Sequence, residues 1–545
     1  MFERIVRTSL SVSLLGAATL LVAACGSSGT EPQEPLPVTA DISLNPAEFT
    51  IAADTLVSGA IRFPDAGGSG ASYLVVAQLT GLGADESSNF SLTGQAGLVG
   101  MPLTRLAHRT PGVAERFHGM LRARESQMAR EAVLHRSLLP TAALRAVPPA
   151  QGSQRSFKVC SNIQCSGTSN VTATAQYVGA HAAIYVDNSA PTGGFSASDL
   201  QAVGDQFDQV LYPIDTDRFG AESDIDANGV VIVLLTPKIN ALVGKPDCND
   251  SFIAGYFFGG DIAPGFASQY NNGEVFYGMV PDPNGQVTCS YSTDFVKRII
   301  PVTFIHEFQH MISFNQHVLL RGGNDETLWL NEGLSHLAEE LGGLHYDSLN
   351  DVTTANRFFL GNLFNAYLYL DDPAAAAVIT ENPPGELEQR GGAWLLVRYI
   401  VDQYGEQVTR ALEQSSLTGV PVIEQATGAP FETIMGRWGL ALYVSDLPSF
   451  TAPAVLKFDT WHFRTSFGVL HTSFPSDFPK VFPLVPDEGV GAHAVSTGSI
   501  GAGTGSYLLV SQAANGTGFS LGFRTGSGSA QPAADGPQLA VARIN

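Results

Sequence analysis

His306 and His310 stand one helical turn apart with Glu307 beside them, in the run Thr303-Phe304-Ile305-His306-Glu307-Phe308-Gln309-His310-Met311-Ile312. Apolar residues at Ile300, Phe304, Phe308, Met311 and Ile312 predict a helix, with Pro301 in its first turn, where a missing N–H is tolerated. On such a helix the two imidazoles share a face, roughly 6 Å apart along the axis, and can grip one metal ion. Glu307 is near enough to take a proton from water in the site. A zinc ion that does chemistry needs three protein ligands and an open position. The third can come from Leu328-Trp329-Leu330-Asn331-Glu332-Gly333. Here Glu332, Ser335, His336 and Glu339 form a polar stripe at i, i+3, i+4 and i+7, while Leu330, Leu334, Leu337 and Leu341 face a core. The 21 residues from 311 to 331 allow the first helix to finish, turn at Arg321-Gly322-Gly323-Asn324-Asp325 and return as a second one, ended by Gly342-Gly343.

The paired motifs resemble those of the gluzincin zinc metallopeptidases, whose aminopeptidase branch carries a nearly identical Leu-Trp-Leu-Asn-Glu-Gly. The longer His-Glu-Phe-Gln-His-Met-Ile with Glu-Gly-Leu-Ser-His-Leu-Ala-Glu is most similar to the secreted hyicolysin-like family. The resemblance implies an α+β fold: a zincin-type catalytic domain with a mixed sheet, active-site helices and a helical C-terminal subdomain. It assigns zinc ligation to His306, His310 and Glu332 and general-base duty to Glu307. A metzincin arrangement is disfavoured, because it needs Gly at Ser313 and His at Gln316, and His317 is one residue out of place. Gluzincins often place an oxyanion-stabilising Tyr before a Gly-Ala-Gly-like step, and here Arg390 of Gln389-Arg390-Gly391-Gly392-Ala393 stands in that place. Arg390 could donate to an oxyanion, or lie at the surface and leave the role to Tyr367, Tyr369, Tyr399, His336 or His345. Glu339 is a candidate to orient a ligand imidazole, with a solvated helix carboxylate as the alternative. No Gly-x-Met-Glu-Asn-like segment for a free amino terminus stands out, which favours an endopeptidase over an aminopeptidase. The rival class is a cell-surface binding protein with a structural or vestigial metal site.

The 545 residues predict roughly three to four domains. A formal charge of −22 argues against a nucleic-acid partner. Residues 1–25 read as an export leader, with Arg4 and Arg7, an apolar run and Val22-Ala23-Ala24-Cys25-Gly26. That ending resembles a bacterial lipobox, which implies lipidation at Cys25 and a cell-envelope or secreted location, with the membrane met only through that anchor. Residues 26–37 read as a tether. Short alternating strands at Phe49–Ala52, Val57–Ile61 and Tyr73–Ala77 predict a β-sandwich over 38–110. Residues 111–154 read as a basic helix, which could contact anionic lipid or an acidic surface of the same protein but is more often a solvated face, followed by a Pro-rich linker or, equally, a propeptide junction. The zinc domain is expected at 155–450 and a second β domain at 451–545, with alternation returning from about Phe458. Ser72–Gln78 with Phe90–Leu92 echoes Ser506–Gln512 with Phe519–Leu521, suggesting related β-modules on either side of the centre. With Cys25 set aside four cysteines remain. Two disulfides are the default in an exported chain, most locally Cys160–Cys165 and Cys248–Cys289. Asp224-Ile225-Asp226-Ala227-Asn228-Gly229 opens like a calcium loop. Its twelfth position is Leu235, so Asp224, Asp226 and Asn228 form either a partial calcium set or an Asx-rich turn.

Overall fold

The first sheet system is set by strands at both ends of the chain. A computed structural model describes residues 37–53, 59–97, 111–134, 147–248, 251–381 and 386–545; the leader with Cys25 and the tether up to residue 36 lie outside them. N-terminal strands β1 (Val38–Asp41), β2 (Phe49–Ala52), β3 (Ala60–Phe63), β4 (Ala71–Leu79) and β5 (Ser87–Gly94) meet C-terminal strands β12 (Asp487–Val490), β13 (Val495–Gly501), β14 (Gly505–Gln512), β15 (Phe519–Thr525) and β16 (Pro537–Arg543). They form two five-stranded sheets, β1-β3-β15-β5-β13 and β12-β14-β4-β16-β2. Inward residues such as Phe63, Val75, Leu92, Leu508, Phe519 and Val541 fill the core between them. The expected separate β domains therefore share both sheets, because each half buries its apolar faces only against the other. The repeated segments end up as neighbours: β4 pairs with β14 and β5 with β15, both antiparallel.

Between these ends lies the domain that carries the motifs. Val231–Leu235 (β9) is apolar at every position and wholly buried, as a strand covered on both faces must be. It sits in a six-stranded sheet with β6 (Gln154–Cys160), β7 (Thr168–Val178), β8 (Ala182–Asp187), β10 (Gly255–Phe257) and β11 (Val275–Gly278), in the order β10-β11-β9-β8-β7-β6. The β8/β9 and β9/β11 pairs are parallel and the others antiparallel, so the sheet is mixed and β10 is an edge. The helices are α1 (Val113–Leu134), α2 (Ala197–Gln206), α3 (Tyr212–Arg218), the short α4 (Pro237–Asn240), α5 (Thr293–Phe314), α6 (Leu328–Ser348), α7 (Val352–Asp371), α8 (Leu387–Tyr404), α9 (Val408–Glu413), α10 (Val420–Thr427), α11 (Phe431–Val444) and α12 (Phe463–Ser473). The fold is α+β, with helices dominating the stretch after the site.

Four expectations shift. Helix α5 begins eight residues before Pro301, capped by Ser292, whose Oγ accepts from Phe295 N. Pro301 therefore sits inside the helix, where it removes one hydrogen bond. Buried Val296, Ile300, Phe304 and Phe308 hold both halves in line, with Phe304 stacked 3.8 Å from Phe207. Gly342 and Gly343 do not end α6, which runs on to Ser348. They let α7 approach: a Cβ on Gly343 would stand 2.3 Å from the Phe359 ring. Helix α12 occupies residues after Phe458 where strands were expected. Finally, α1 is no solvated face, since Phe117, Leu121, Ala129 and Ala132 are fully buried.

Candidate metal centre

Helix α5 brings His306, Glu307 and His310 to its buried face, and α6 brings Glu332 opposite them. Two polar ties hold the helices in register. Ser335 on α6 donates to Gln309 on α5, which donates onward to Glu413. Glu340, fully buried, accepts from Trp394 and Trp461 and pairs with Arg398, fastening α6 to α8.

Each histidine has its Nδ1 engaged by a side-chain oxygen, and Ser335 Oγ lies 3.2 Å from both ring nitrogens of His310. His306 Nδ1 lies 2.7 Å from Glu339 Oε1, and His310 Nδ1 lies 2.9 Å from Asn331 Oδ1. Both Nε2 atoms then face Glu332, at 3.7 Å from its Oε2 (His306) and 3.7 Å from its Oε1 (His310). Those distances are too long for hydrogen bonds. They suit donors that each reach about 2 Å to one shared ion. The three ligand atoms lie within 4.8 Å of one another, and Glu332 Oε2 is buried with no hydrogen bond. Two imidazoles and one carboxylate so placed fit zinc.

Electrostatics support the same arrangement. Burial alone would raise the Glu332 carboxyl, but Arg390, then His310 and His306, hold it well below the usual carboxylate range. Burial and the Arg122 charge push His310 well below the usual imidazole value, keeping it neutral as a ligand must be. Burial opposes charge on His306, yet its bond to Glu339 raises it. Burial raises Glu307, with the Arg122 charge opposing. The Glu339 carboxyl is held at about 2 by His336 and His306 against the effect of burial.

Glu307 Oε2 accepts from Phe257 N at 2.9 Å on edge strand β10 and from Arg122 Nη2 at 3.2 Å on α1. His118, also on α1, places Nδ1 3.8 Å from Glu307 Oε1. Arg390 Nη1 lies 3.3 Å from Glu332 Oε2, which puts this arginine in the site instead of at the surface. His336 is buried against His306, with Nδ1 3.2 Å from Glu339 Oε1. His317 is fully buried among Glu326 and Glu413, at 3.6 and 3.5 Å, away from the pair on α5. Sequence reading missed Arg122, His118 and Asn331. Asn331 could have been found from its place beside Glu332; the α1 residues carried no local signal.

Asp224 and Asp226 come together with Glu274, from just before β11, a carboxylate the sequence reading did not name. The Asn228 side chain is spent in its turn, donating to Asp226 Oδ2 and accepting from Val230 N. Arg155 pairs with Asp226 at 3.2 Å. The three carboxylates offer ligand atoms within 4.8 Å of one another, while Asn228 keeps the Asx turn expected as the alternative to calcium. Disulfides join Cys160 to Cys165 and Cys248 to Cys289. Among the described residues no helix is long and apolar enough to cross a membrane.

The donor set is one that suits zinc, and a curated protein similar to part of this chain is named as a metalloprotease. This relative is the neutral metalloprotease ShpI of Staphylococcus hyicus, 28% identical over 193 residues. That match covers 34% of this chain and 40% of the relative, so the chain spans less than half the length of that protein. No family model matches the chain. Among solved structures, a mutant of an M1 zinc metallopeptidase from Deinococcus radiodurans aligns over 72% of this chain and 66% of its own, with 12% identity and a TM-score of 0.28. The unmutated enzyme aligns over 74% and 73%, with 12% identity and a TM-score of 0.27. Shapes related this loosely carry no argument about activity.

Proposed function

We propose that this chain is an exported zinc-dependent endopeptidase. The observation that carries the reading is the convergence of His306 Nε2, His310 Nε2 and the Glu332 carboxylate beside Glu307. His306, His310 and Glu332 would hold zinc. Bound there, zinc supplies Lewis-acid polarisation of a scissile carbonyl and a lowered pKa for water. Glu307 removes a proton from the attacking water at a carboxylate oxygen and returns it to the leaving amine, a role favoured by its raised pKa. Phe257 N orients that carboxylate. Glu339 and Asn331 fix the tautomer and rotation of the two imidazoles. Arg390, at 3.3 Å from Glu332, is the permanent charge best placed to steady an oxyanion. The leader and Cys25 support export with a lipid anchor.

The test is metal analysis of the purified protein together with cleavage-site mapping on a mixed peptide library. The expected result is about one zinc per chain, internal cleavage, and loss of turnover on treatment with 1,10-phenanthroline. A zinc-free protein with chelator-insensitive activity would sink the reading.

A further inference from the structure

The free edge of β10 is already occupied by α1. Strand β10 pairs with β11 on one side only, through Gly255, Tyr256 and Phe257. On the other side its backbone groups point toward the site. An edge of this kind is a template for an added extended chain. Here Phe257 O accepts from Arg122 at 3.1 Å, and just past the strand, at the start of the 3-10 turn Gly259–Asp261, Gly259 N donates to Glu125 at 2.6 Å. Both partners are side chains of α1.

Arg122 also reaches the centre itself. It bridges Glu125 at 2.8 Å and Glu307 at 3.2 Å, and all three groups are buried. A buried guanidinium and carboxylate that meet in this way are costly to separate. Glu307 cannot then turn to water without giving up the pair. One turn earlier His118, neutral in its burial, fills the space near Glu307 Oε1. A cavity of about 370 Å³ reaches His310 and Asn331, with Arg122, Glu125 and Ser126 as one wall.

The helix is docked as well as charged. Phe117 packs edge-on against Tyr256 of β10 at 5.1 Å. Arg124 donates to Cys165 O and Tyr270 Oη, and Ser126 to Asp325. The sandwich does not depend on α1 for its sheets, since β1 to β5 are held there by β12 to β16.

We propose that α1, residues 113–134, is an internal inhibitory segment: Arg122 and Glu125 take the edge positions and the base that a peptide substrate needs, and the site opens when α1 is displaced. This rests on the peptidase reading above, and the experiment separates the two. The full chain is compared with its Arg122→Ala/Glu125→Ala variant, both supplied with zinc. Casein turnover is measured, with hydrogen exchange at residues 113–134 and 255–259 in the absence and presence of casein peptides. The variant is expected to exchange at least about tenfold faster across 113–134. It should raise kcat/KM by about tenfold or more, as the open fraction grows. Added peptides should restore protection at Gly259 in the variant and not in the parent. Turnover equal to or below that of the parent, in a variant whose α1 has loosened, overturns the proposal. So does a Gly259 amide that peptides never protect. If neither protein cleaves but peptides protect Gly259 in the variant alone, the inhibitory role stands and the peptidase reading falls. Arg122→Met, which keeps the side-chain length but loses the charge and the donors to Phe257 O and Glu307, is the second variant should the double one not fold; it is held to the same outcomes.

Discussion

His306 Nδ1 lies 2.7 Å from Glu339 Oε1, and that single bond decides which nitrogen of the imidazole is turned toward Glu332. Without it the ring could rotate or change tautomer, and the three donors would no longer converge. Glu339→Ala is therefore expected to weaken zinc binding by about 10- to 100-fold with the fold intact. Competition against a chelator of known affinity measures it; unchanged affinity would remove Glu339 from the support of the site.

Glu307 and Glu332 are both buried carboxylates that feel the charge of His306, yet the proposed mechanism gives them different jobs. Glu307→Gln should keep the metal and lower turnover by about 10²- to 10⁴-fold. Glu332→Ala should lose the metal itself. Zinc content and casein hydrolysis, measured on the same preparations, separate the two; a Glu307→Gln protein with full turnover would exclude it as the base.

Asp261 is fully buried, accepting from Asn271 N and Tyr277 Oη, and burial pushes its carboxyl up to about 7. Its folded pKa lies above the unfolded one, near 4, so between those values the native state binds the extra proton. Stability from this group is present below pH 4 and is lost as pH rises towards 7. Asp261→Asn should thus gain stability relative to the parent as pH goes from about 4 to 7. Urea unfolding at both ends of that window is the check, and a pH-independent difference would refute it.

Two glycines on facing helices make a paired test of packing. A Cβ on Gly391 of α8 would stand 2.1 Å from the backbone oxygen of Asn365 on α7, while one on Gly361 of α7 would meet nothing within 4 Å. Gly391→Ala should destabilise by about 1–3 kcal/mol, because a backbone cannot move aside as a side chain can. Gly361→Ala, exposed and mid-helix, should stabilise by about 0.5–1 kcal/mol. Thermal melts of the two variants should shift in opposite directions.

Much of the donor set could be read without coordinates. His306, Glu307 and His310 are related by helical periodicity, and Glu332, His336 and Glu339 by the same rule on the next helix. Such spacings are local, and a helix realises them wherever it packs. The helix ends were harder to read. Gly342 and Gly343 look like a stop signal, but their missing side chains serve α7, and Pro301 looks like a start although packing carries α5 through it.

What residues and spacing determined by themselves was the chemistry available: which side chains share a helical face and what ion they suit. Tertiary structure decided the company they keep. Arg122 is 185 residues from Glu307, β4 and β14 pair across most of the chain, and Glu274 reaches Asp224 and Asp226 only through the sheet. No periodicity encodes such meetings. They follow from burial, which brings distant apolar faces together and obliges the charged groups carried with them to find partners there.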